Sequence, residues 1–202
     1  MVFVGNRLLQ YGYYHLLGFE RGESFAIDGL INGRGSYPAL VITLILLYLY
    51  CRIRQIQVLP TLDVLIPYAI LLLAIQRTFG CFMAGCCYGT PTNLLWGIVF
   101  PFMSRAGQAF PGISIHPTQL YYGFSAFGIW IFLLIYQSSQ SARQTGKITA
   151  IGLGLLAFTY FWISFLRDDV SKILGLTLSQ YASIILFILA TLLYIRQHFK
   201  TV

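Results

Sequence analysis

Three apolar runs, 120–136, 148–166 and 178–195, follow one another with only short polar connectors between them. Each is long enough to cross the hydrocarbon core of a bilayer. Lipid offers no partner to a backbone N–H or C=O, so only helices or closed barrels span it. Continuous apolar runs without strand alternation are helices. Two more runs, 37–50 and 62–75, are shorter but extend into Gly-rich flanks. A sixth, 2–19, contains Asn6, Arg7, Gln10 and His15 and makes a poor lipid-facing helix, so it is read as buried in the bundle or half inserted. The expected fold is all-α, a polytopic integral membrane bundle of about six spans. Residues 1–202 read as a single transmembrane domain, with no internal repeat and no separating linker. Within it, the Pro-, Gly- and aromatic-rich segment 80–117 is expected to form a small outer cap of loops and short helices.

Composition agrees: 57% of residues are hydrophobic and 9% are charged, far from the balance of a soluble domain. The net charge of +7 comes without a Lys/Arg run. Nucleic acid is therefore excluded as a partner, and short loops facing anionic lipid account for the charge. The start, MVFVGNRLLQ, lacks the charged region, apolar centre and cleavage site of a signal peptide. Alternating the spans places Arg52, Arg54, Arg143, Lys147, Arg196 and Lys200 on one side, in short polar connectors with Asp63 as the lone acid. Arg21, Arg34, Arg105, Arg167 and Lys172 fall on the other, among Gly, Pro, aromatic and acidic residues. The first set reads as cytoplasmic. The second reads as a working face directed to the periplasm or cell exterior.

Three polar clusters abut the spans on that face: Arg77–Gly89 (RTFGCFMAGCCYG), His116–Tyr121 (HPTQLY) and Ser164–Asp169 (SFLRDD). A charge at membrane depth costs about 2.5–3.5 kcal/mol on insertion scales, so Arg77 needs a partner or a job. Arginine's planar fork suits phosphate and stays charged at any relevant pH. Gly80, Gly85 and Gly89 allow the backbone to approach an anion closely. Several arginines at a membrane boundary most economically recognise a phospholipid head group. For Arg77 and Arg167 this functional reading is favoured, whereas Arg21 reads as a snorkelling anchor and Arg105 stands evenly between the two. Two roles stay open for His116, a general base or a structural cap before Pro117. Cys81, Cys86 and Cys87 lack a histidine or second cysteine pair at finger-like spacing, so they read as small packing residues rather than a metal site. No metal and no cofactor is expected.

These residues carry a resemblance. Gly80–Gly89 (GCFMAGCCYG), then His116–Tyr121, then Phe165–Asp168 (FLRD) and Gly175–Tyr181 (GLTLSQY) resemble the prolipoprotein diacylglyceryl transferase family. Gly5–Tyr11 (GNRLLQY) is similar to the arginine-bearing end of that family's second membrane helix. The resemblance implies a multi-pass transferase of the bacterial plasma (inner) membrane that moves a diacylglyceryl group from phosphatidylglycerol to the lipobox cysteine of a prolipoprotein. It implies that Arg77 and Arg167 bind and polarise the lipid phosphate and that His116 and Gln119 support the site. Arg7 would line it. On the reading of the residues themselves, Arg34, Gln119, Tyr121 and the three glycines are also expected in substrate binding. The implied partners are a phosphatidylglycerol-like lipid, the membrane and a prolipoprotein signal peptide.

The sequence departs from that pattern at several places. The family's helix before the segment resembling 2–14 has no counterpart, and its His-Gly-Gly motif falls on Arg34-Gly35-Ser36. Arginine cannot accept a proton. The family's Gly-Arg-x-Gly spacing gains one residue in Gln76-Arg77-Thr78-Phe79-Gly80, so either the helix bulges and Arg77 keeps its place or Thr78 takes it. Tyr122 stands where the family has Glu, Cys81 stands where it has Asn, and the outer segment between Gly89 and His116 is short. Two alternatives therefore accompany the transferase reading: a related head-group transferase with a small acceptor, or a non-catalytic lipid-binding accessory protein.

Overall fold

The computed structural model describes residues 36–138, 145–168 and 172–199. Arg7, Arg34 and the expected 2–19 span lie outside the described residues. The chain divides into two compact units, 1–57 and 58–202.

In the first unit, α1 runs over Ser36–Ile53 and covers the expected 37–50 run. Apolar side chains such as Ile45, Leu46 and Ile53 are exposed on it. Gln55, at φ 55°, ends the helix in the left-handed region, and the Ile56 N–H returns to the Cys51 carbonyl.

The second unit is a helical bundle with a cap. Its helices are α2 (Val58–Ile75), the one-turn α3 (Phe82–Ala84), the short α4 (Arg105–Ala109), α5 (Thr118–Ser138), α6 (Lys147–Ile163) and α7 (Leu178–Phe199). Among the described residues, four helical stretches are long and apolar enough to cross a membrane: Val58–Ala84, Thr118–Ser138, Lys147–Leu166 and Leu178–Gln197. The expected all-α membrane bundle is what forms. α2 packs on α5, α5 on α6, and α6 on α7. Lipid tails are as apolar as leucine, so close fit rather than water exclusion holds such helices together. At Gly152 a Cβ would come within 3.0 Å of Ile66 and Leu133 side-chain atoms, which is why glycine stands there. Around it Ile70, Ala74, Ala126, Ile129, Leu133 and Ile148 form the buried core of the bundle.

Two devices at the end away from the cap lock the helices in place. Pro67 lies inside α2 and cannot donate to the carbonyl of Asp63, but Gln137 Nε2 reaches that carbonyl at 3.4 Å. The Asp63 carboxylate, itself buried, accepts from Gly146 N–H and from both the N–H (2.8 Å) and hydroxyl (2.6 Å) of Thr149. It caps the start of α6 from another helix. At the other end, Ser164–Leu166 form a 3-10 turn after α6. A tight hairpin follows, β1 (Lys172–Ile173) and β2 (Leu176–Thr177), turning through Leu174 and Gly175, both with positive φ. Thr177 and Gln180 form a capping box: Thr177 N–H donates to Gln180 Oε1 at 2.8 Å, and Gln180 N–H to Thr177 Oγ1 at 3.3 Å. The Ser164 hydroxyl shares this network with Thr177 and Ser179, which fixes the turn immediately before Arg167.

Candidate functional site

The extra residue between Gln76 and Gly80 is absorbed by a π-helical turn, Gln76–Cys81, continuing α2. A single wide turn of this kind inserts one residue without breaking the helix. It settles which side chain faces where. Thr78 packs on α5, its Oγ1 lying 2.1 Å from where a Cβ on Gly123 would sit. Arg77 enters a different environment, of rings and sulfurs. Its guanidinium lies 5.2 Å from the Tyr122 ring and 5.6 Å from the Tyr160 ring, and Nη1 reaches Cys87 Sγ at 3.4 Å and Cys81 Sγ at 4.0 Å. A desolvated cation–aromatic contact contributes about 2 kcal/mol, so two rings offset much of the cost of placing Arg77 here. No carboxylate among the described residues pairs with it, and its buried Nε has no hydrogen-bond partner there.

After α3 the chain reverses through two left-handed residues, Gly85 (φ 60°) and Cys87 (φ 56°). Gly85 has no room for a side chain, since a Cβ would meet Ser104 Cβ at 2.7 Å. Cys87 is a non-glycine in a conformation that costs energy and persists only where its surroundings impose it. Two side chains at the start of α5 do so: Thr118 Oγ1 donates to the Cys87 carbonyl at 2.6 Å, and Gln119 Nε2 to the Cys86 carbonyl at 2.8 Å. Both are fully buried. Gln119 Oε1 is left buried and without a partner among the described residues.

The three sequence clusters are joined through one glycine. Gly89 N–H donates to the His116 carbonyl (3.1 Å), and His116 N–H to the Thr90 carbonyl (3.0 Å). Thr90 N–H donates to the Leu166 carbonyl (3.0 Å), and Asp168 N–H to the Tyr88 carbonyl (3.1 Å). The segment at Gly89 thus lies between those carrying His116 and Arg167, bridged directly to Arg167. A Cβ at Gly89 would sit 2.6 Å from His116 Cβ and 2.7 Å from the carbonyl oxygens of both His116 and Leu166. Gly89→Ala is therefore expected to force the three segments apart, with about 1–3 kcal/mol of overpacking strain. A lowered melting temperature in detergent, together with reduced activity, checks this.

Side chains complete the picture. Hydrogen bonds from Cys81 and Cys86, and then the charges of Arg167 and Arg77, push the Cys87 thiol down from its ordinary range. The His116 ring turns to Tyr121, Nδ1 lying 3.3 Å from the hydroxyl, which also accepts from Trp96 Nε1 at 2.9 Å. Gly80 lies half-buried in the π turn, and Arg105 is exposed on α4. Behind them, Phe100, Ala106 and Ile115 pack with Phe82, Tyr88 and Phe110 to give the cap its own small core. Tyr160 and the three-cysteine cluster were not marked as functional by sequence reasoning. The signal was available in principle: an arginine in an apolar span calls for aromatic or sulfur partners, and Tyr160 lies about two helical turns before Arg167.

The prolipoprotein diacylglyceryl transferase family matches residues 1–196 of the chain. A phosphatidylglycerol--prolipoprotein diacylglyceryl transferase of Clostridium tetani (strain Massachusetts / E88) is 32% identical over 175 residues, covering 86% of this chain and 68% of the relative. The protein of the same name from Finegoldia magna is 32% identical over 175 residues, covering 87% and 65%. One from Synechocystis sp. is 33% identical over 164 residues, covering 79% and 58%. The chain thus spans about two thirds or less of the length of these relatives.

Proposed function

This chain belongs to the prolipoprotein diacylglyceryl transferase family, and on that premise we propose that it transfers the diacylglyceryl group of a phosphatidylglycerol-like lipid to a prolipoprotein cysteine. The observation that carries this reading is Arg77. It is a guanidinium at the end of a membrane span, flanked by rings and sulfurs, with no carboxylate partner among the described residues and Nε unbonded. That side of the fork suits a lipid phosphate. Arg167, whose backbone is bridged to Gly89 at the end of the Arg77–Gly89 cluster, brings a second fork to the same phosphate.

In this reaction the acceptor thiolate attacks the carbon of the diacylglyceryl group that is bonded to the phosphate oxygen. A carbon–sulfur bond forms, the carbon–oxygen bond breaks, and glycerol phosphate leaves with the electron pair. The two guanidiniums neutralise the charge that develops on the leaving phosphate. They also favour ionisation of an incoming thiol, whose proton passes to solvent or to the departing phosphate. No histidine base is required for that step. His116, whose ring meets the Tyr121 hydroxyl that Trp96 in turn holds, orients the cap segment beside Gly89. The 80–117 cap faces the periplasm or cell exterior of a bacterial inner membrane. Lys147, stacked between Tyr136 and Tyr194, lies with Arg196 at the opposite, cytoplasmic end.

The test is to incubate the purified protein in lipid nanodiscs with labelled phosphatidylglycerol and a lipobox peptide. A lipidated peptide with an equal amount of glycerol phosphate is the expected result. Glycerol phosphate without peptide lipidation indicates a smaller acceptor, and lipid binding without turnover indicates an accessory protein. Either of these overturns the reading.

A further inference from the structure

We propose that Cys81, Cys86 and Cys87 form a binding site for a thiophilic d10 metal ion, zinc above all. Their sulfur atoms all lie within 4.8 Å of one another. Tetrahedral zinc–thiolate bonds of about 2.3 Å put neighbouring sulfurs roughly 3.8 Å apart, so small side-chain rotations close the site. Spacing alone conceals it, because Cys81 leaves the π turn while Cys86 and Cys87 come from the reversed loop. The left-handed Gly85 and Cys87 are what fold Cys86 and Cys87 back onto Cys81.

The loop is braced as a ligand loop is. Thr118 and Gln119 hold the carbonyls of Cys87 and Cys86 from a separate helix, fixing the strained backbone that aims these sulfurs. Fixing of ligands by groups behind them is a feature of metal centres. Packing alone does not require a strained cysteine here, since an unstrained loop would bury a small side chain as well.

Charge points the same way. Three thiols binding one zinc ion release three protons and leave a complex of net charge −1. Arg77 Nη1 lies 3.4 Å from Cys87 Sγ and 4.0 Å from Cys81 Sγ, so one guanidinium balances that charge next to a membrane span. N–H donation to thiolate sulfur is also how such complexes are stabilised. Among the described residues no histidine or carboxylate joins the cluster. That leaves three protein ligands and a fourth position for water or an anionic oxygen, the arrangement of an open rather than a closed zinc site. The donor set of sulfur alone selects zinc or copper(I) over magnesium or calcium.

The test uses the full chain, reduced and purified in detergent, with zinc content measured by mass spectrometry and cadmium titrated by its ultraviolet thiolate charge-transfer band. One equivalent of metal is expected. Cys81→Ser, Cys86→Ser and Cys87→Ser are each expected to weaken binding by about 100-fold or more, since loss of a mere supporting partner already costs 10–100-fold. Cys51→Ser serves as control and is expected to bind as the parent does. A reduced, folded parent that takes up neither zinc nor cadmium overturns the proposal, whatever the variants do. So does uptake that survives all three substitutions. Neither readout depends on lipid transfer, so failure here is distinguishable from failure of the transferase reading.

Discussion

Arg167→Ala is expected to cut transfer by about one to two orders of magnitude, and Arg167→Lys to recover only a small part of that loss. A charge-assisted contact to phosphate is worth roughly 1.5–3 kcal/mol, which converts to about one to two orders of magnitude in rate. Lysine preserves the charge but not the planar fork, so it recovers little of a bidentate contact. The position itself is tightly set. Arg167 leaves the 3-10 turn in an extended conformation, its backbone bridged to Gly89, and the preceding Ser164 is tied to Thr177 and Ser179. Substituting the side chain should therefore change the charge and little of the backbone. His116→Ala is expected to be milder, because its ring hydrogen-bonds to Tyr121. Steady-state transfer rates for the three variants, with melting temperatures as a folding check, decide the matter. A lysine variant as active as the parent would reduce Arg167 to an interfacial anchor. Equal, near-total loss in folded Arg167→Ala and His116→Ala would promote His116 to general base.

The helices were legible because lipid imposes one simple rule: a continuous apolar run must satisfy its own backbone. The runs 120–136, 148–166 and 178–195 became Thr118–Ser138, Lys147–Ile163 with its 3-10 extension, and Leu178–Phe199. Their ends moved by a few residues where capping decided the boundary, as Thr177 and Gln180 do for α7. The ambiguity between Arg77 and Thr78 was visible as an extra residue. The π turn that accommodates it, and the close approach of Thr78 to α5 at Gly123, are not recorded in a linear pattern. The cysteines are the clearest case of what spacing hides. Two left-handed residues bring distant sulfurs together, and no periodicity announces a left-handed cysteine. Tyr122 stands out only as a departure from the family's Glu, and Tyr160 not at all, until a guanidinium is placed beside both rings.

Asp63, the lone acid of the cytoplasmic set, carries the largest expected stability effect. Asp63→Ala strands three buried donors, the N–H groups of Gly146 and Thr149 and the Thr149 hydroxyl. It also removes an anion from the positive end of α6. Each stranded donor costs about 1–3 kcal/mol, so a loss of about 3 kcal/mol or more is expected, seen as a marked fall in melting temperature. Asp63→Asn should recover only part, because one carboxylate oxygen becomes an NH2 facing another donor. Thr149→Val removes a single hydroxyl contact and should cost less than either. A double-mutant cycle between Asp63→Ala and Thr149→Val should show strong coupling, since the two share the contact. Independent effects, or an Asp63→Ala protein as stable as the parent, would show that the carboxylate is no anchor. The consequence reaches the far end of the bundle. Asp63 ties α2, which carries Arg77 on its π turn, to α6, which leads into Arg167, so it sets how far each helix reaches towards the cap. Partial loss of transfer in Asp63→Ala at temperatures where the protein stays folded is the result expected if the two arginines must stand at matched height.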